Sequence, residues 1–165
     1  MVIKMAEFKT NVYRIFDKEK LPYTPHTYPH EHDDPVDGIT VANSMGIPVG
    51  RVFKTLVTHG SDKNYYVFDV PVARELDLKK AAKSVGVKSV EMIHVADINK
   101  VTGYIRGGCS PIGMKKRYKT VIDQTAREFD TIFVSAGKIG WQIEASPLDI
   151  AKLSGAEFAD ILLEV

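Results

Sequence analysis

The chain has 165 residues, the size of one domain on a prior of roughly 150 residues each, and a single domain spanning 1–165 is expected. With 44% hydrophobic and 26% charged residues it can build a core under a solvated surface, which excludes disordered, collagenous and coiled-coil classes. Basic and acidic residues nearly cancel, 22 against 21, so any polyanion binding must come from how the charge is distributed.

In chain order, Phe8, Val12, Ile15 and Phe16 repeat at helical spacing and predict a helix over Met5 to Lys20, ended by Leu21-Pro22. Tyr23 to Tyr28 reads as a strand broken at Pro25, and Thr40 to Met45 as a helix stopped by Gly46. Val52–Thr58 and Tyr65–Val70 are rich in β-branched and aromatic residues, and His59-Gly60-Ser61-Asp62 between them is turn-like, so a hairpin is predicted. Asp77 is placed to cap a helix running to Val85 and stopped by Gly86. Ser89–Ile93 follows as strand and His94–Val101 as a short helix. Gly103–Lys116, with four glycines and a proline, follows as loop or bent strand. Thr120–Asp123, Thr131–Ser135 and Trp141–Glu144 read as strands, Pro147–Leu153 as a helix with proline at its start, and Phe158–Leu163 as a final strand or helical turn. Helices punctuating hairpin-like strand pairs predict an α+β, mixed α/β fold: a curved, mostly antiparallel, partly closed sheet flanked by helices.

The longest apolar run is four residues, Tyr65 to Phe68, far below the roughly 20 of a membrane span. Lys4, Glu7 and Lys9 interrupt any signal-peptide stretch near Met1. One cysteine, Cys109, precludes an internal disulfide and suits a reducing cytoplasm, so a cytoplasmic protein with no membrane partner is expected. Lys100 to Thr120 carries six basic residues and no acid, whereas Glu31 to Asp37 holds four acids and no lysine or arginine. The basic stretch reads either as a solvated loop or as a polyanion footprint.

His26, His30, His32, Asp33 and Asp34 combine side chains that zinc or iron accepts, but at no defined metal spacing, and a polar turn explains them equally well. Cys109 lies between glycines and basic residues, a setting that lowers a thiol pKa, although lone cysteines are commonly incidental. Ser135 lacks the GxSxG elbow of a hydrolase triad. Gly107-Gly108 allows backbone amides to approach an anion or carbonyl oxygen, and it is no Walker loop. Lys54 is the odd residue of the hairpin, a cation sharing a strand face with Val52 and Leu56. It either snorkels at an edge or points into a pocket.

Six segments occur together in order: His26-Thr-Tyr28, Val52-Phe-Lys54-Thr55-Leu, Leu76-Asp-Leu-Lys-Lys80, Thr102-Gly-Tyr104, Gly107-Gly-Cys-Ser-Pro-Ile-Gly113 and Val134-Ser-Ala-Gly-Lys138. This set resembles the YbaK/EbsC family of Cys-tRNA(Pro) deacylases, relatives of the editing domain of prolyl-tRNA synthetases, over residues 8 to 163. The resemblance implies cleavage of the ester joining a wrong amino acid to tRNA, without metal or other cofactor. Its substrate would be tRNA(Pro) charged with cysteine, with Cys-tRNA(Cys) as a further candidate, and prolyl-tRNA synthetase is a candidate partner. Carried over by position, Lys54, Gly107 and Gly108 are the catalytic candidates. Tyr28, Thr55, Ser135 and Gln142 are the substrate-binding ones, with Gln142 standing where the family often has aspartate. Lys115, Lys116, Arg117 and Lys119 would hold the tRNA backbone. The family's thiol-assisted chemistry, in which the substrate's own sulfur attacks its ester, would supply the selectivity. Three other readings stay open: an Ala-tRNA(Pro) deacylase, a non-catalytic tRNA- or synthetase-binding regulator, and, last, a metal-dependent hydrolase.

Overall fold

Local capping chemistry sets the helix boundaries in the computed structural model, which describes residues 9–32 and 34–165. There are five α-helices in it: α1 (Asn11–Lys18), α2 (Gly38–Met45), α3 (Leu78–Val85), the short α4 (Ile98–Thr102) and α5 (Pro147–Ser154). Thr10, Asp37, Asp77 and Ser146 each accept a hydrogen bond from a first-turn backbone N–H, an arrangement that contributes about 1 kcal/mol per helix. Gly46, Gly86 and Gly155 end their helices in the left-handed region that glycine enters without penalty. The first helix therefore starts at Asn11. The part of its expected span before Lys9, Phe8 included, lies outside the described residues.

Eight strands form two sheets. The first has the order β1 (Thr24–Thr27), β7 (Trp141–Ala145), β6 (Ile132–Lys138) and is antiparallel throughout. The second has the order β4 (Val90–Met92), β2 (Phe53–Gly60), β3 (Tyr65–Pro71), β5 (Lys119–Asp123), β8 (Glu157–Ala159). In it β2 pairs antiparallel with β3 and β4, as a hairpin dictates, whereas β3–β5 and β5–β8 are parallel. Helices intervene in both parallel connections, which need a long crossover. The mixed, mostly antiparallel fold class expected from sequence is thus found, with the one curved sheet resolved into two that meet at a parallel bridge between Val52 and Phe133.

The expected His94–Val101 helix is a 3-10 turn (Val95–Asp97) leading into α4, and the C-terminal stretch is strand only at β8, followed by a bridge from Leu162 to Leu76. The apolar stripe of α1 (Val12, Tyr13, Phe16) packs with β6, β7 and α5, and α3 covers β3 and β5. A smaller cluster (Ala42, Val52, Val72, Phe133) seats α2 on the seam between the sheets. There Gly38 is obligatory, because a Cβ on it would lie 2.3 Å from Val72 Cγ1. The close approach of α2 to this seam shapes the cavity described next. No described helix is long and apolar enough to cross a membrane.

Candidate active site

A cavity of about 130 Å³ opens at the seam, and Tyr28, Lys54, Thr55, Gly107, Ser135 and Gln142 all line it. Six residues spread over 115 positions of sequence are brought together by three structural devices. The hairpin start supplies Lys54 and Thr55. These alternate across β2, yet both reach the cavity, because β4 covers β2 only from Thr58 to Gly60 and leaves this end of the strand an open edge. The first sheet supplies Ser135 and Gln142, paired directly across β6 and β7, while Tyr28 is held at the end of β1 by its N–H bond to the Gly140 carbonyl (3.0 Å). The glycine loop supplies Gly107.

Gly107 has φ +86°, and a Cβ there would sit 2.8 Å from Pro35 Cβ, so backbone freedom and space both require glycine. Gly108 differs from the sequence expectation. Its N–H donates to the Ile105 carbonyl (3.0 Å), and a Cβ there would sit 3.2 Å from the Ile139 N, a tight contact with the Lys138–Ile139 backbone. That amide is spent on the turn and does not face a substrate carbonyl. Of the two expected donors, only the Gly107 amide is left without a backbone acceptor among the described residues.

Two polar groups in the cavity lack partners. Lys54, half-buried, takes part in no ion pair or side-chain hydrogen bond among the described residues. Gln142 is 6% exposed and its Oε1 accepts nothing, although a buried unpaired acceptor costs roughly 1–3 kcal/mol. A free cation and an orphaned acceptor in one small cavity are what a polar ligand would satisfy.

Two of the cavity's nucleophile candidates, Cys109 and Ser135, are by contrast disabled. Burial pushes the Cys109 thiol up to about 12, with the nearby Asp69 charge adding to the effect against a hydrogen bond at Thr102, which reverses the lowering expected from its basic neighbours. Ser135 Oγ accepts from the Gly137 N–H (3.0 Å) and has no imidazole behind it. His26 Nε2 is engaged by Glu144 Oε1 (2.9 Å), and His30 Nδ1 lies 2.7 Å from the His32 carbonyl. Burial works against the Glu144 charge, but hydrogen bonds from Thr131 and His26 and the charge of Arg51 outweigh it and hold the carboxyl below its ordinary range. No three His, Cys, Asp or Glu side chains among the described residues form a metal-binding group, and Asp33 of the candidate cluster lies outside them.

Asp69 was not anticipated. It lies opposite Thr55 across the hairpin, is fully buried, and accepts from Thr55 Oγ1 at 2.5 Å, leaving its Oδ2 without a partner. Burial, offset in part by the Thr55 bond, pushes its carboxyl up to about 7. The signal was present in the sequence as one acid inside the apolar run Tyr65–Pro71.

The basic stretch is elsewhere. Lys119 pairs with Tyr66, at the hairpin-turn end of β3, four residues or about 13 Å along the strand from the Lys54–Val70 pair. Lys115 Nζ donates to the Lys100 carbonyl (3.0 Å) and Arg117 to the Leu153 carbonyl (2.7 Å). Lys116 and Lys119 line an open groove with Lys63, Tyr65, Tyr66 and Tyr118.

Residues 35–153 match the profile of the aminoacyl-tRNA editing domain. The chain belongs to that family. Over 161 residues, 98% of each chain, it is 46% identical to a protein of Enterococcus faecalis named "Putative Cys-tRNA(Pro)/Cys-tRNA(Cys) deacylase EbsC". It is 24% identical over 73% of its length to the proline–tRNA ligase of Lactobacillus helveticus, of which it spans about a fifth. In fold it resembles a solved structure described as a "putative trans-editing enzyme for prolyl tRNA synthetase", with TM-score 0.76 at 23% identity over 93% of this chain and 97% of that one. The hypothetical protein APE2540 gives TM-score 0.81 at 19% identity, over 92% and 99%. The editing family expected from the ordered motifs is therefore the family found, and its chemistry is that of an enzyme that removes amino acids from tRNA.

Proposed function

We propose that this chain is a cytoplasmic trans-editing deacylase that cleaves the ester of Cys-tRNA(Pro), with the six cavity residues as its site. The observation that carries this reading is an unpartnered cation and an unpartnered acceptor among the described residues, in a cavity whose Cys109 thiol is held protonated and whose Ser135 hydroxyl has no imidazole behind it. An aminoacyl ester is already activated, so orientation and charge stabilisation suffice if the nucleophile arrives with the substrate.

In this mechanism the Gly107 N–H and the Lys54 ammonium face the carbonyl oxygen as it gains charge. Gln142 Oε1 accepts from the substrate's α-ammonium or thiol. Tyr28 and Ser135 bound the amino-acid side chain. The substrate thiolate attacks its own carbonyl carbon, the carbon–oxygen bond to the ribose breaks, and the ribose oxygen takes a proton from solvent. Free tRNA and a four-membered cyclic thioester leave, and water opens the latter to cysteine. A thiol of ordinary pKa about 8.5 is partly ionised at neutrality, and a neighbouring ammonium raises that fraction. The exposed basic groups Lys116 and Lys119, with Lys115 and Arg117 beside them, contact the tRNA backbone. Prolyl-tRNA synthetase is the proposed supplier of the mischarged tRNA.

The deciding assay compares Cys-, Ser- and Ala-tRNA(Pro) with the purified protein. Cysteine should be released at least 10-fold faster than its hydroxyl isostere. Equal rates for serine and cysteine would remove the sulfur from the mechanism. Faster release of alanine would make the protein an alanine editor, and salt-sensitive binding with no release would make it a binding module.

A further inference from the structure

Across the Gly107–Cys109 wall lies a second cavity, of about 220 Å³, which shares Thr55, Gly107 and Cys109 with the first. Its remaining walls are mainly apolar: Val57, Met92, Ile93, Val95 and Ile98, with Arg106 on the rim. It exists because β4 is short. Past the last ladder pair, Thr58–Met92, only the Ile93 N–H to Val57 carbonyl bond (3.2 Å) holds the chain to β2, and the two segments then diverge around a slot. Met92 and Val95 are 46% and 55% exposed, and Ile105 beside the rim is 45% exposed, so this slot is a concentration of the molecule's open apolar surface. The Arg106 guanidinium takes part in no ion pair or side-chain hydrogen bond among the described residues.

We infer that this slot receives the purine base of the terminal nucleotide of the aminoacyl-tRNA, an inference that rests on the deacylase reading of the first cavity. The argument is one of connectivity. The scissile ester oxygen belongs to the ribose of the terminal adenosine, and the base is attached to that same sugar. A substrate whose carbonyl lies against Lys54 and Gly107 must therefore place its base one sugar's width away. The second cavity adjoins the first, with Thr55, Gly107 and Cys109 lining both. Apolar walls suit the ring faces, and a guanidinium at the rim can stack on a π-system. A peptide partner or a second copy would need a broader apolar footprint than one slot of this volume.

The test uses hydrolysis-resistant probes, 3′-deoxy-3′-(cysteinylamino)adenosine and its cytidine counterpart, titrated calorimetrically into the full chain. The adenosine probe should bind severalfold tighter, because a purine buries more apolar ring surface against these walls than a pyrimidine. Val95→Asp and Met92→Asp, both at exposed positions that tolerate a charge in the fold, should each erase that preference and leave the cytidine probe unaffected. Equal affinity for the two probes, no binding of either, or a preference untouched by both variants overturns the inference. So does a concentration-dependent dimer that Val95→Asp dissolves, since the slot would then belong to a second copy. Wild-type release of cysteine from Cys-tRNA(Pro), measured in parallel, separates the two readings. Base preference without release sinks the deacylase and keeps the slot, whereas release without base preference does the reverse.

Discussion

The two ends of the β2–β3 hairpin treat their polar groups in opposite ways. At the open end, among the described residues, Lys54 has no ion-pair partner and Gln142 Oε1 is buried without a hydrogen-bond partner. Toward the turn, the basic stretch that dominates the sequence's charge map spends two of its cations on carbonyls, Lys115 on Lys100 and Arg117 on Leu153, and its lysines stand in solvent. Charge density along a sequence therefore marks an affinity surface, while chemistry is marked by a polar group that the fold has sheltered and left unsatisfied.

That contrast makes Lys54→Ala the variant of largest expected effect. Removing a preorganised charge facing a developing oxyanion costs on the order of 10²–10³ in rate. Single-turnover deacylation of Cys-tRNA(Pro) should fall by that factor, while circular dichroism and the unfolding midpoint stay near wild type, since the Lys54 side chain holds no ion pair or hydrogen bond among the described residues. An unchanged rate would break the contrast, because the sheltered cation would then be no more catalytic than the exposed ones.

Asp69 lies between the two ends, opposite both Thr55 on β2 and Ile122 on β5, and it sharpens the contrast through stability. Its folded-state pKa is raised to about 7 from an ordinary value near 3.8. The folded chain thus keeps a proton that the unfolded chain releases. The contribution of this carboxyl to stability should be greatest below about pH 4, decline as pH climbs toward 7, and level off above it, for a loss of up to roughly 4 kcal/mol. Cys109 beside it stays protonated over that window, with its thiol at about 12. Urea unfolding of wild type and Asp69→Asn across pH 4.5 to 8 should show this decline in wild type and a clearly flatter profile in the variant. Parallel profiles would mean that the carboxyl titrates at its ordinary value.

The sequence made the hairpin, the Asp77–Gly86 helix and the oddity of Lys54 legible, because each is local: alternation, a cap with its stop, and one cation on an apolar strand face. The two-sheet division and the parallel β3–β5 pairing were not legible, since they depend on which strands meet after a crossover and no local pattern encodes that. Tyr28, Ser135 and Gln142 became substrate-binding candidates only through family resemblance, because their convergence is a property of the β1–β7–β6 register. Two misreadings have one cause. The Cys109 thiol and the Gly108 amide were read by their neighbours in sequence, but burial governs the first and a bond to Ile105 consumes the second. Asp69 was visible as a lone acid, yet only the cross-strand partner Thr55 gives it meaning.

The smallest effect is expected at the other end of the hairpin. Lys116 and Lys119 line an open groove with Tyr65 and Tyr118, about 13 Å along the strand from Lys54, a span that a single-stranded terminal segment of tRNA can bridge. If they contact phosphates, each neutralised phosphate contributes close to one unit of slope in log K against log salt. Lys116→Ala with Lys119→Ala should therefore raise KM for Cys-tRNA(Pro) severalfold at low salt, flatten the salt slope by about one to two, and leave the saturated single-turnover rate untouched. The same pair of changes should not alter binding of a single-nucleoside substrate probe, which is too short to reach the groove. A fall in the saturated rate equal to the rise in KM would mean that these lysines act on the chemical step. The division of labour between the sheltered and the solvated cations would then have to be abandoned.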